Sequence, residues 1–338
     1  MQVADHFSAV KRRFESRAMP AYEKPPAKLV DIYFGMGKQC LHGMILIRGE
    51  DMLFDYHVHC EFSDDSEELM EDQIEKAIEK GVEEICFTDH VDYGIKRDVD
   101  DPRGIEIKHA IEHGKEVDIV LANVNYPVYF EKLHAMQKLY AGRIAVKQGL
   151  EFGIQSITVQ EYQKLYDTYK HELDFILFSM HQVDNLEFWT QDFQRGKTQK
   201  EYNEAYYAEI YKTMGMFHEY SCLAHLDLLA RYDENGIYPF EKVEDQIAEI
   251  LKLAIKDGKG IEVNTSSYHY GLKDTQPCRA ILKLYKDLGG KILTVGSDAH
   301  STQYIADHIP DVYSILKEEI GFQEICTFDK MTPIFHAL

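Results

Sequence analysis

Residues 53–90, LFDYHVHCEFSDDSEELMEDQIEKAIEKGVEEICFTDH, contain the pattern that decides the fold. The apolar run at 53–58 predicts a strand, and apolar residues at helical spacing then continue until Gly81. Ser66 is in the position of an N-cap for this helix, and the run at 84–88 predicts a second strand. A strand, a helix and a second strand in so short a stretch indicate a parallel βαβ unit.

The same alternation continues along the chain. Further strands are predicted at 144–150, 175–179, 221–224, 260–263 and 292–295, and helices at 162–169, 198–217, 247–255 and 280–288. Residues 93–125 are polar with weak periodicity, and we expect a long loop there with one short helix. Seven strands separated by helices predict a parallel sheet covered by helices.

Composition and charge restrict the class of protein. The chain has 338 residues, 45% of them apolar, which is enough for a sizeable core. Its 37 basic and 58 acidic residues give a net charge of −21, which disfavours binding to nucleic acid or to anionic membranes. The six cysteines are scattered without CxxC spacing, so we interpret them as buried thiols of a reducing cytoplasm.

The first 51 residues differ from the rest of the chain. They contain a basic run, several prolines and little periodicity, whereas the strand–helix pattern begins just after Met52. We therefore predict an N-terminal extension at 1–51 and one domain at 52–338. Two interpretations of the extension stay open, namely a flexible arm and a start site assigned upstream of a true start at Met52.

Histidines and carboxylates occur at the C-terminal ends of successive predicted strands. These residues are His57, His59, Asp89, His90, Glu151, His181, His225, Asp298 and His300. A single one, such as His225, is most often a buried core residue, but strand ends of a parallel barrel converge on one rim. The set together predicts a polynuclear metal site in which Glu151 bridges two ions. Imidazole and carboxylate ligands suit zinc, iron or manganese.

These motifs resemble the polymerase-and-histidinol-phosphatase (PHP) superfamily. The resemblance is carried by His57-Val58-His59 with Asp65, Thr88-Asp89-His90, Glu151, Ser179-Met180-His181, His225 and Gly296-Ser297-Asp298-Ala299-His300. The stretches at 62–66, 192–198 and 225–232 are similar to those of the histidinol-phosphate phosphatases within that superfamily. The resemblance covers the chain from Met52 to its end.

The resemblance implies a distorted (β/α)7 barrel that binds three divalent ions and hydrolyses L-histidinol phosphate. The implied ligand sets are His57, His59, Glu151 and Asp298 for one ion, Glu151, His181 and His225 for a second, and Asp65, His90 and His300 for a third. Arg231 matches an arginine that binds the substrate phosphate, and with Asp65 and His90 it is the implied catalytic set. Asp64 is then expected to be a solvated neighbour, and His269 is a further candidate for the pocket.

Two other functions stay open at this point. One is a PHP phosphoesterase that acts on a nucleotide, a phosphotyrosyl protein or a nucleic acid end, although the acidic charge balance disfavours nucleic acid. The other is a non-catalytic metal-binding module, which would be expected to have lost some of the motifs. A small phosphate ester is the partner that the residues favour, while the oligomeric state cannot be predicted.

Overall fold

The computed structural model describes residues 52–112 and 115–338. Within them, seven strands form a parallel sheet in the order β1, β2, β6, β7, β10, β11, β12. Their bounds are β1 Leu53–Val58, β2 Val82–Phe87, β6 Ala145–Gly153, β7 Phe175–Ser179, β10 Cys222–Leu223, β11 Gly260–Asn264 and β12 Leu293–Gly296. The short strand β3 His90–Val91 pairs with β6 outside this order, and β8 Gln182–Val183 pairs with β9 Leu186–Glu187 in a separate hairpin. The seven predicted strands are confirmed with small shifts at their ends. The extension predicted at 1–51 lies outside the described residues and stays a prediction.

The two edge strands of this sheet meet and close it. Val58 at the end of β1 forms a parallel bridge with Ala299, which follows β12. The His59 amide donates to the Ala299 carbonyl at 2.9 Å. The buried Asp55 carboxylate accepts from the Ser297 amide at 2.9 Å and from the Ser297 hydroxyl at 2.6 Å. The strands therefore form the predicted (β/α)7 barrel, and register shifts between β1 and β2 account for part of its distortion.

Helices connect the strands and cover the barrel. They are α1 Met70–Glu79, α2 Tyr126–Leu139, α3 Val159–Tyr169, α4 Gln199–Met214, α5 Glu244–Lys256, α6 Arg279–Asp287 and α7 Ile309–Ser314. In α4, Thr198 and Glu201 form a capping box, and the aromatic stripe with Tyr202 and Tyr206 is buried. That stripe is therefore part of the core, as is usual for aromatic residues at helical spacing.

Two local predictions are wrong. The expected loop with a short helix at 93–125 instead contains an antiparallel hairpin, β4 Glu106–Glu112 paired with β5 Lys115–Leu121. Apolar residues at 117, 119 and 121 have the period of a strand, but the charged and turn-forming residues at 97–104 favoured the interpretation as a loop. Ser66 does not cap α1, because its hydroxyl donates to the His300 carbonyl at 3.0 Å. Glu61 accepts the Met70 amide at 2.7 Å in its place.

A C-terminal hairpin of β13 Glu324–Asp329 and β14 Thr332–Ala337 covers the N-terminal end of the barrel. Phe328 packs at 5.0 Å from the ring of Phe175 on β7, and its amide donates to the Tyr56 hydroxyl at 2.7 Å. Lys330 pairs at 3.0 Å with Asp174, which directly precedes β7. The hairpin therefore leaves the opposite end, where the strands terminate, open for a site.

Two further observations concern the chain as a whole. Among the described helices, none is both long and apolar enough to cross a membrane. Four described cysteines, Cys60, Cys86, Cys222 and Cys326, are buried free thiols, and Cys278 is partly buried. This agrees with their interpretation as reduced core residues.

Candidate metal centre

The nine side chains predicted as ligands lie together at the C-terminal end of the barrel. They are His57, His59, Asp65, His90, Glu151, His181, His225, Asp298 and His300. Each stands on the last residues of a barrel strand or on the loop that follows. Barrel closure brings the loops after β1 and β12 side by side, although these loops are far apart in the sequence.

Four of these residues form a first group around one point. His57 Nε2 lies 3.2 Å from Glu151 Oε2 and 3.4 Å from Asp298 Oδ1. His59 Nε2 lies 3.4 Å from the same Glu151 oxygen and 3.3 Å from the same Asp298 oxygen. His57 Nε2, His59 Nε2 and Glu151 Oε2 are buried without a hydrogen-bond partner among the described residues. Leaving such atoms unsatisfied costs free energy, so the group fits a cation that all of them bind.

The second group surrounds the other oxygen of Glu151. Glu151 Oε1 lies 2.8 Å from His225 Nε2 and 3.1 Å from His181 Nε2. It also accepts a hydrogen bond of 2.6 Å from the Ser179 hydroxyl. Since each carboxylate oxygen of Glu151 faces a different pair of imidazoles, this residue has the geometry of a bridging ligand.

Asp65, His90 and His300 form a third group. Asp65 Oδ2 lies 3.2 Å from His300 Nε2 and 3.4 Å from His90 Nε2. The other ring nitrogen of His90 lies 2.9 Å from Glu151 Oε2, which connects this group to the first. The Asp65 side chain is 54% exposed, so the third group lies at the solvent side of the centre.

The electrostatics of the centre favour ionised carboxylates. Burial raises the pKa of Glu151, but the surrounding histidines, chiefly His57 and His181, outweigh burial and hold that pKa well below its usual range. Burial also raises the pKa of Asp298, yet His57, together with a hydrogen bond from His59, brings it well below its usual range. Burial lowers the pKa of His59, and His300 adds to this shift. His59 is thereby favoured as a neutral imidazole, which is the form that binds metal. Burial also lowers the pKa of His57, His90, His181 and His300, but neighbouring carboxylates outweigh burial and raise that pKa, so protons compete with a cation at these rings.

Two carboxylates outside the predicted set orient the histidines. Glu262 Oε1 lies 2.5 Å from His57 Nδ1, and Asp92 Oδ1 lies 2.7 Å from His181 Nδ1. A carboxylate on one ring nitrogen directs the other nitrogen to a metal. Neither residue was among the predicted site residues. A charged residue in the middle of the apolar strand at 260–263 was the available signal for Glu262, whereas Asp92 lies in a polar stretch that offered none.

Arg231 lies at the edge of the first group, on a 3-10 turn at Leu228–Arg231. Its Nη2 donates to Ser266 Oγ at 2.7 Å and lies 3.5 Å from Asp298 Oδ2. Its Nη2 and Nε also donate to Gln276 Oε1, at 2.9 and 3.2 Å, and its guanidinium lies 4.2 Å from the centroid of the Tyr270 ring. These contacts fix the guanidinium in place beside Asp298.

Two further residues, Asp64 and His269, lie beside the predicted ligands. The expectation that Asp64 is a solvated neighbour is wrong, because its side chain is only 12% exposed and pairs with Lys96 at 2.6 Å. His269 stacks on the ring of Tyr304 at 4.4 Å. It belongs to none of the groups of close ligand atoms found among the described residues.

The fold and this cluster define a metal-binding (β/α) barrel with its site at the strand ends. Residues 55–266 match the PHP domain family, so more than half of the chain is covered and the chain belongs to this family. The resemblance seen in the motifs is therefore confirmed.

Individual relatives agree with this assignment. A histidinol-phosphatase of Lactococcus lactis is 29% identical over 280 residues, which cover 82% of this chain and 94% of the relative. A histidinol-phosphatase of Bacillus subtilis is 24% identical over 268 residues, covering 73% and 92% of the two chains. The crystal structure of the Lactococcus lactis histidinol phosphate phosphatase, complexed with zinc, L-histidinol and phosphate, superposes with a TM-score of 0.69 at 28% identity. It covers 83% of this chain and 98% of that one.

Proposed function

We propose that the protein is a metal-dependent phosphomonoesterase that hydrolyses L-histidinol phosphate to L-histidinol and phosphate in histidine biosynthesis. The observation that carries the proposal is the Glu151 carboxylate, shared between two groups of histidines, with the Arg231 guanidinium beside it. The relative that binds zinc, histidinol and phosphate supports the choice of substrate, because the two chains match over nearly the whole of that relative.

We assign three divalent ions to the centre, of zinc, iron or manganese. The first is assigned to His57, His59, Glu151 and Asp298, the second to Glu151, His181 and His225, and the third to Asp65, His90 and His300. The three groups of close side chains described above support this assignment. Nitrogen and oxygen donors without thiolates are the ligand types that these metals accept.

The role of the protein side chains is mainly to bind and orient the phosphate. Divalent ions in such a centre polarise phosphate oxygens and activate water for attack on phosphorus. Arg231 is the proposed phosphate ligand, because its planar guanidinium is held by Ser266 and Gln276 beside Asp298 of the first group, and a guanidinium can donate two hydrogen bonds to phosphate oxygens. Asp65 and His90, on the solvent side of the centre, are proposed as the other catalytic residues that surround the phosphate. No nucleophilic side chain is required by this arrangement.

Two other functions are less well supported. A PHP phosphoesterase for nucleotides, phosphotyrosyl proteins or nucleic acid ends would have the same ions, but the relatives at this level of identity are histidinol-phosphatases. A non-catalytic module is disfavoured because all nine ligand positions are filled and meet. The buried, unpaired thiols fit a reducing compartment, and we propose the cytoplasm.

Elemental analysis combined with a substrate panel tests the proposal. The purified protein should contain divalent metal, and histidinol phosphate should exceed a nucleoside monophosphate, phosphotyrosine and p-nitrophenyl phosphate in kcat/KM by orders of magnitude. His59→Ala should lose metal and activity. His134→Ala is the matched control, because His134 is exposed and pairs with Glu172 away from the centre. A higher kcat/KM for a nucleotide or phosphotyrosine would replace the proposed substrate.

A further inference from the structure

Lys96 lies between two carboxylates next to the metal centre, and none of the roles assigned above involves it. Its ammonium group lies 2.6 Å from Asp64 Oδ1 and 2.9 Å from Asp92 Oδ2. The Lys96 side chain is only 10% exposed. A lysine buried to this degree needs ionised partners, so both contacts are integral to the local structure.

The two carboxylates lead to different parts of the centre. Asp92 uses its second oxygen to bind His181 Nδ1 at 2.7 Å, and so it orients a ligand of the second group. Asp64 directly precedes Asp65, the carboxylate of the third group. Lys96 therefore connects a histidine ligand on the β7 side of the barrel to the loop that follows β1.

The adjacent residues Asp64 and Asp65 differ in what their carboxylates contact. Asp65 Oδ2 approaches His300 and His90, at 3.2 and 3.4 Å, whereas Asp64 turns to Lys96. Both carboxylates are chemically suited to bind a divalent ion. The Lys96 ammonium group thus separates the roles of the two aspartates. Its ion pair balances the charge of the Asp64 carboxylate and holds that carboxylate apart from the third group.

The turn that presents Lys96 is fixed by its own geometry. The Lys96 amide donates to the Asp92 carbonyl at 2.8 Å, which places the two side chains on the same side of the turn. Gly94 within this turn has φ +99°, and a Cβ atom there would lie 2.1 Å from Asn185 Oδ1. The positive φ and the close approach of Asn185 favour glycine at this point of the turn, two residues before Lys96.

We propose that Lys96 is a positioning residue that holds Asp64 away from the metal centre, leaves Asp65 as the carboxylate of the third group, and secures Asp92 against His181. The proposal rests on the ligand sets given under the proposed function. Without the ammonium group, Asp64 is a poorly solvated anion beside a cluster of cations, and it competes with Asp65 for the ion. The larger part of the lost metal affinity is then due to Asp64 and is relieved when Asp64 is replaced by asparagine, while the smaller part due to the lost Asp92 contact remains.

Metal binding by five variants tests this inference. Lys96→Met should weaken binding of the most loosely held ion about 10- to 100-fold, the range found when groups behind metal ligands are removed. Asp64→Asn should keep the wild-type metal content, and Asp65→Asn should lose one ion. The double variant Lys96→Met/Asp64→Asn should recover most of the lost affinity. Lys147→Met is the matched control, since Lys147 is 16% exposed and pairs with Asp329 at the opposite end of the barrel.

The measurements are metal content after dialysis, affinity by chelator competition, and the visible absorption spectrum of the cobalt-substituted protein, which reports coordination. Unchanged affinity in Lys96→Met overturns the proposal, and so does a double variant as weak as Lys96→Met. Loss of an ion in Asp64→Asn also overturns the proposal. The comparison of Asp64→Asn with Asp65→Asn therefore tests which aspartate binds the ion even when Lys96→Met does not fold. Histidinol phosphate turnover by the wild-type protein is measured separately, so failure of the substrate assignment is distinguished from failure of this inference.

Discussion

Glu262 is the residue whose replacement tests the metal centre most directly. It lies on β11 with its side chain fully buried, and its Oε1 is 2.5 Å from His57 Nδ1. Its Oε2 accepts the His225 amide at 3.0 Å. A single carboxylate therefore supports one histidine from each of the first two groups, and Glu262→Gln changes its charge while nearly keeping its shape.

The expected loss of zinc affinity follows from the hydrogen bonds that Glu262 accepts from His57 and His225. A bond to a charged group contributes about 1.5–3 kcal/mol and a neutral one about 0.5–1.5 kcal/mol, so the exchange costs about 1.4 kcal/mol for the His57 contact. Since 1.4 kcal/mol corresponds to a factor of about ten, Glu262→Gln should bind zinc about tenfold more weakly. Glu262→Leu leaves two buried donors unpaired at about 1–3 kcal/mol each, and it should lose the metal as well as stability.

Chelator competition with zinc measures the affinity, and thermal unfolding of the metal-free protein measures stability. Glu84→Gln is the control, because Glu84 accepts a hydrogen bond from the Tyr56 hydroxyl in the N-terminal half of the barrel. The reasoning is refuted when Glu262→Gln binds zinc as tightly as the wild type, or when Glu84→Gln weakens binding equally.

Three further changes have defined outcomes. Arg231→Ala should keep the wild-type metal content and raise KM about 10- to 100-fold, because a charge-assisted contact to phosphate is lost; unchanged steady-state kinetics would remove the assigned role. Gly153→Ala should weaken metal binding, because its Cβ would lie 1.8 Å from Asp92 Oδ1 and 2.8 Å from His181 Nδ1. Chelator competition measures this, and full metal content at wild-type affinity would contradict it. Removal of metal by a chelator should abolish activity and lower the Tm, since ions that bind only the folded state stabilise it. Added zinc or manganese should restore both activity and Tm. An equal Tm with and without metal would show that the folded protein binds no ion tightly.

The predictable part of the structure is the part with strong local signals. Buried parallel strands are continuous apolar runs, so β1, β7 and β12 could be located from sequence. Ligand positions could be listed because histidines and acids have no packing purpose at strand ends. The order of the strands and the closure through Val58 and Ala299 required the resemblance or the structure.

The unpredicted part depends on contacts between distant residues. Asp64 and Asp65 have the same local pattern, so the choice of Asp65 came from the resemblance, and the pairing of Asp64 with Lys96 from a later loop could not be predicted. Asp92 acquires its role from its distance to His181, which no local pattern contains. The hairpin of β4 and β5 is a different case, because the apolar residues at 117, 119 and 121 were a local signal for a strand.

Closure of the cylinder has a consequence for biosynthesis and proteolysis. His57 and His59 are translated more than 230 residues before Asp298 and His300. A nascent or truncated chain without the final strand therefore has only a partial coordination sphere. A single proteolytic cut that releases the last strand is therefore expected to abolish activity even when every other residue stays in place. The activity of a preparation should then be proportional to its fraction of intact molecules.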